Sequence, residues 1–280
     1  MFDATSPSEA ASALERAEGS VRLSFRHRGA ATALAHHYER GSFKARMPRP
    51  EQPGRPLAVL INTAGGLAGG DVLEAHIALE ADAAATVTTQ AAEKVYRSTG
   101  AASRVSVALT LAERARLDWL PQETILFDQA RMERDIRVDM AADAEATLVE
   151  AIVLGRQAMG EAVRSAHLID RWRLRRAGRL IYADALRVVE PIAPLAGGRA
   201  SLGGARAIGT VLHASPLAAE RLEPARAALA DAGHACGASS WDGILLVRLL
   251  APDGQALRRT LAAVLLVLCA GRPLPRPWSC

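Results

Sequence analysis

The residues that first suggest chemistry are the glycines of Asn62-Thr-Ala-Gly-Gly-Leu-Ala-Gly-Gly-Asp71. A phosphate-binding loop needs a Lys-Ser/Thr pair after its last glycine, the lysine for charge and the hydroxyl for Mg²⁺. Here Asp71 follows, and its negative charge opposes phosphate. The Gly-x-Gly-x-x-Gly spacing of a dinucleotide fold is also missing, and no helix is predicted after the segment. What remains is a turn between strands, with glycines that permit positive φ or a close backbone approach. Asn62 and Asp71 can bond the local backbone or face a cavity.

Other catalytic patterns are absent. The chain has no Gly-x-Ser-x-Gly elbow, no His-Glu-x-x-His and no Cys-x-x-Cys. His36 and His37 are adjacent, so in a strand they point to opposite faces. His27, His76, His167, His213 and His234 are isolated in sequence. Several acids are more suggestive because they sit in apolar, strand-like surroundings: Glu93, Glu123, Asp128, Glu150 and Glu161. Burying a carboxylate is costly unless it is paired or hydrogen-bonded. Lys94, Arg97, Arg131 and Arg156 are the candidate partners, and both structural ion pairing and function stay open for these acids.

The elements that must position them read as strands. From Val21 to Val189 the dominant period is two, as in Arg104–Leu111 and Asp71–Leu79. Further strands are predicted at Leu57–Ile61, Ala85–Gln90, Ile136–Met140, Thr147–Val153, Leu168–Arg175 and Leu180–Val188. The last two flank Arg176-Ala-Gly-Arg179, a hairpin turn. After Pro216, helices are predicted over Leu222–Ala232 and Gln255–Ala270, with strand Ile244–Leu250 between them. The second helix is apolar nearly all round and should be buried, either in the core or against a partner. Pro191–Gly204 reads as an exposed loop, and no repeat of fixed period is visible.

The fold class is therefore mainly β: a large strand-rich single domain over residues 19–280, built of layered or helically wound sheets, with two α-helices towards the C-terminus. Residues 1–18 are expected to form a disordered tail or a short helix. Half of the 280 residues are hydrophobic but only 4% are aromatic, so the core relies on Val, Leu, Ile and Ala. The net charge of +4 comes mostly from arginine, with Lys44 and Lys94 the only lysines. No RNA- or DNA-reading pattern accompanies the arginines, so no nucleic-acid partner is expected. Cys236, Cys269 and Cys280 are odd in number and widely spaced, which fits a reducing compartment. No signal peptide is evident, and the longest apolar run is about half of a membrane span. The expectation is a cytoplasmic protein with no membrane partner.

Four stretches in register carry a resemblance: Asn62–Asp71, Thr88–Ser98, Trp119–Asp128 and Leu154–Glu161, with Leu274-Pro-Arg-Pro-Trp278 at the end. Together, from about Gly19 to Trp278, the chain resembles the UreD urease accessory family, called UreH in some organisms. The motif positions are Asn62, Gly65, Gly66, Gly69, Gly70, Gln90, Tyr96, Pro121, Glu123, Gly155 and Arg156.

The resemblance implies a non-enzymatic scaffold for nickel insertion, in a hetero-oligomeric complex. Its implied partners are the urease apoprotein, UreF and, through UreF, the GTPase UreG, where GTP would be hydrolysed. It also implies a mostly β fold with two late helices. Nickel(II) binds N and S ligands tightly, so a delivery protein is better served by scattered carboxylates than by a His/Cys trap. Asp71, Glu93, Asp128, Glu150 and Glu161 are the expected lining of a transient nickel path, with no tightly bound cofactor. The competing reading is a stand-alone β-rich hydrolase or ligand-binding domain using the Asn62–Asp71 loop. A nucleic-acid binder resting on Arg171–Arg179 is a further rival.

Overall fold

Alternation of apolar and polar residues drives strand formation over most of the chain, and the computed structural model shows how those strands are used. It describes residues 15–156, 159–189, 191–192, 196–198 and 200–279. Most of the tail expected at residues 1–18 lies outside the described residues, as does Cys280. One sheet of seven strands holds β1 (Glu18–Arg28), β2 (Ala31–Gly41), β5 (Val72–Leu79), β8 (Ser103–Leu111), β11 (Arg131–Met140), β13 (His167–Arg176) and β14 (Arg179–Val189). Its spatial order is β14-β13-β11-β8-β5-β1-β2.

The second sheet is built from β3 (Phe43–Arg46), β4 (Leu57–Asn62), β6 (Ala84–Thr89), β9 (Arg116–Leu120), β12 (Glu145–Leu154), β15 (Ala207–Ala214), β16 (Ala235–Trp241) and β17 (Ile244–Ala251). These run in the order β16-β17-β15-β12-β9-β6-β4-β3. Two short strands, β7 (Glu93–Val95) and β10 (Thr124–Leu126), make a third side, where β10 pairs in parallel with both β7 and β12.

The chain winds from the first sheet to the second, through a short strand and back, so that successive turns stack in parallel. Val72 lies beside Arg104, Ser103 beside Met132, and Met132 beside Leu168, giving offsets of 32, 29 and 36 residues. The unequal offsets agree with the expectation of no repeat of fixed period. The repeat is spatial, and its changing length hides it from a search for one fixed period. Antiparallel pairs close the ends, including the β13–β14 hairpin predicted at Arg176–Arg179, where Ala177 and Gly178 both take positive φ.

Between the sheets, inward residues of both faces form one core, among them Phe25, Ile77, Leu109, Ile136, Leu60, Leu117 and Leu148. A second core lies on the outer face of the second sheet, beneath α1 (Leu222–Leu229) and α2 (Gly254–Leu268). Asp253 caps α2, accepting the Ala256 N–H at 2.7 Å. Both helices are shorter than predicted. The burial expected all round α2 is also incomplete: Leu257, Leu261, Val264, Leu265 and Leu268 are buried, whereas Leu266 is 43% exposed. β12 lies between the two cores and is buried on both faces, which explains its near-continuous apolar run.

β15 and β16 have no counterpart in the predicted strands, because Gly209 interrupts one and the other is composed largely of small residues. Of the expected exposed loop Pro191–Gly204, Ile192 is instead buried and its N–H bonds Arg164 O at 2.9 Å. The C-terminal segment straps the second sheet. Arg272 bonds Asp118 at 2.9 Å, beside Arg55 at 2.7 Å, and the Trp278 indole N–H reaches Leu120 O at 2.9 Å. No helix among the described residues is long and apolar enough to cross a membrane.

Candidate functional site: an interior cavity beside the glycine-rich turn

The coil brings the separated segments together. Alternation along β12 places Glu150 on the same face as Leu148 and Ile152, between the sheets. Parallel pairing sets Glu93 of β7 beside Thr124 of β10, and Thr124 beside Ile152 of β12. Glu93, Thr124 and Glu150 thus occupy adjacent turns, about 4.8 Å apart per strand. They line a cavity of about 260 Å³ whose walls also include Asn62, Gly65, Gly66, Gln90, Trp119, Pro121, Gln122 and Arg134. Apolar side chains such as Leu60, Leu73, Val107 and Met132 supply most of the remaining surface. Gly65, Gln90 and Lys94 are exposed, so the cavity opens beside the glycine-rich turn.

Inside, Glu93 accepts a hydrogen bond from Asn62 Nδ2 at 3.1 Å. Burial pushes its carboxyl up to about 7, against the downward pull of the Asn62 bond. Glu150 meets Arg134 Nη2 at 2.7 Å and Thr124 Oγ1 at 3.4 Å. Burial raises its carboxyl above the ordinary range even beside the guanidinium, because Asp170 shares that same cation. The N–H groups of Trp119 Nε1 and Gln122 Nε2 have no protein partner, although both residues line the cavity. Such donors are satisfied by water. The wall therefore presents two carboxyl groups and two unpartnered N–H donors.

The other three expected acids sit elsewhere. Asp71 accepts the N–H groups of Ala17 at 2.9 Å and Ala68 at 2.7 Å, so its carboxylate closes the turn and ties down the start of β1. Asp128 accepts from Arg164 N and Ser165 N at 2.7 and 3.1 Å. Glu161 accepts from Asp128 N and from Arg156 Nε at 2.9 Å, and Arg156 holds its carboxyl below the usual range. None of the three is among the residues that line the cavity. They join the loops that form its outer rim.

That rim explains most of the motif positions. Tyr96 donates its hydroxyl to Gly65 O at 2.9 Å and packs edge-on against Phe127 at 5.2 Å, while Arg156 lies over the Phe127 ring at 4.0 Å. Gly66 has φ 151°, and a Cβ there would overlap the Tyr96 ring. Gly155 has φ 76°, and a Cβ would lie 2.9 Å from Glu161 O. Glu123 pairs with Arg258 of α2 at 3.1 Å, and the same guanidinium bonds Gln122 Oε1 at 2.7 Å and Pro277 O. The Leu274–Trp278 ending is therefore linked to the cavity wall through Arg258.

Three of the four sequence segments thus line one cavity, while Leu154–Glu161 packs behind it through Arg156 on Phe127 and the C-terminal ending joins its wall through Arg258. A family model described as UreD urease accessory protein matches residues 17–279. The chain belongs to the UreD family. The urease accessory protein UreD of Xanthobacter autotrophicus is 48% identical, over 95% of this chain and 91% of its own. That of Azorhizobium caulinodans is 46% identical, over 95% of this chain and 97% of its own. A relative of the same name from Methylobacterium sp. is also 46% identical, with 95% of both chains covered. The UreD relationship thus extends over the strand-rich coil and both late helices.

Arg134 and Asp170 are not among the candidates that the sequence suggests, yet both are buried charges at the cavity's inner wall. Arg134 takes an inward position in the row Met132, Ile136, Val138 and Met140, and Asp170 does so in the row Leu168, Trp172 and Leu174. A charge in an apolar register is the signal that would have found them. Among the described residues, no three His, Cys, Asp or Glu side chains converge as a metal site.

Proposed function

We propose that this chain is a non-catalytic scaffold of urease maturation that passes nickel(II) through its interior cavity to the apoenzyme. It does so in a complex with urease, UreF and, through UreF, UreG, which hydrolyses GTP. The observation that carries the reading is the cavity itself, with Glu93 and Glu150 on its wall either side of Thr124, two turns of the coil apart, and motif residues of the first three segments around it. Carboxylates bind nickel(II) more weakly than imidazole or thiolate ligands do. Two of them in a wet cavity hold an ion briefly and release it. Asp71, Asp128 and Glu161 serve this path indirectly, by fixing the loops of its rim. The compartment that suits this role is the cytoplasm, where urease is assembled.

The test is Glu93→Ala in the assembled complex. Urease activation is expected to fall by about tenfold while the complex co-purifies unchanged. Unaltered activation would mean that Glu93 serves only the fold. Glu161→Ala, made in parallel, is expected to loosen the rim and lower thermal stability first.

A further inference from the structure

The inner wall of the cavity ends in a layer of three charges contributed by both sheets. Arg134 projects from β11, Asp170 from its in-register neighbour on β13, and Glu150 from β12 of the opposite sheet. Arg134 donates to the two Asp170 oxygens through Nε and Nη2, each at 2.9 Å. It also reaches Glu150 Oε2 at 2.7 Å and Thr124 Oγ1 at 3.2 Å. All three charged residues are more than nine-tenths buried. Arg134 and Glu150 face the cavity. Glu150 and Asp170 also line a small pocket of about 20 Å³, whose wall includes Asp184 and Arg248. The layer is a partition between two voids.

The two carboxylates hold the guanidinium unequally. Asp170 takes the bidentate contact and is further fixed by the Trp172 indole N–H at 3.3 Å. Glu150 has a single contact to the guanidinium and the longer one to Thr124. Of the two, Glu150 is the one that can change partners. A cation arriving in the cavity meets a carboxylate already engaged by a fixed positive charge. That charge cannot leave by deprotonation, because a guanidinium stays protonated in proteins.

We propose that Arg134 is a charge-setting residue of the cavity, competing with a divalent metal cation for Glu150 so that the metal binds weakly and is released onward. This rests on the reading that the cavity carries a divalent metal. Remove the competitor and Glu150 becomes free to bind, which turns a path into a trap. Strengthen the competitor and the metal is excluded. The two manipulations should therefore shift affinity in opposite directions.

The test uses the purified full-length chain, titrated with nickel(II) against a fluorescent chelator, and the same variants assayed for urease activation in the complex. Asp170→Asn leaves Arg134 with Glu150 alone and is expected to weaken nickel binding several-fold. Arg134→Gln combined with Asp170→Asn removes one charge of each sign and preserves the buried balance. This double variant is expected to bind nickel about tenfold more tightly than wild type, yet to activate urease less. A structural fault alone would lower both readouts. Shifts in the same direction for both variants, or none in either, would overturn the role of Arg134. If the double variant does not fold, Asp170→Asn decides, and unchanged or tighter binding refutes the proposal. Glu93→Gln separates the two ideas: wild-type affinity in that variant defeats the cavity reading itself, whereas Glu93-dependent binding without the opposed shifts defeats only Arg134.

Discussion

Glu93 reaches the cavity with Asn62 as its hydrogen-bond donor, and its carboxyl is raised from 4.5 to about 7 by burial. The folded chain thus holds this proton more tightly than the unfolded chain does. Stability that is present at low pH is therefore lost as pH rises from about 4.5 through about 7. Glu93→Gln removes the titration. At pH 8 the variant is expected to be more stable than wild type by up to ~3 kcal/mol, with the difference shrinking towards pH 4. Urea denaturation at pH 5 and pH 8 checks the sign, and a gap that narrows with rising pH would contradict the assignment.

Strand alternation, the hairpin at Arg176–Arg179 and the two late helices could be read from single elements, because each depends on local period and turn chemistry. The winding stood in the sequence only as one of two arrangements, layered or helically wound, because parallel strands about 30 residues apart leave no local mark that decides between them. The site divides in the same way. Glu93 and Glu150 stood out as acids in apolar strands. Asp128 could not be seen as a backbone acceptor, because its donors, Arg164 and Ser165, lie 36 and 37 residues away. The C-terminal strap makes the most testable element. Trp278 is buried, bonded to Leu120 O and flanked by Arg258 with its guanidinium 5.3 Å from the ring. Trp278→Ala is expected to cost about 3–5 kcal/mol, as truncation of a buried aromatic does. Thermal unfolding measures this. Because Arg258 also holds Gln122 and Glu123, the variant should weaken nickel binding as well as lowering the melting temperature.

At the scale of the molecule, large apolar side chains stay outside both cores. Leu217 is 58% exposed, Trp241 41% and Leu266 43%. If the proposed complex holds, co-expression with UreF should raise the soluble yield several-fold and give co-elution on size exclusion. A soluble monomer that ignores UreF would count against the proposal. The parallel winding has a consequence for how the chain acquires its shape. Parallel partners from β5 through β8 and β11 to β13 sit 29 to 36 residues apart, so each new pairing must close a long loop before local contacts reward it. Topologies of this kind fold slowly, in milliseconds to seconds. During synthesis, each finished turn presents an unpaired strand edge until the next turn emerges from the ribosome. The pace of translation, as much as the sequence, then sets how long that sticky edge is open to the wrong neighbour.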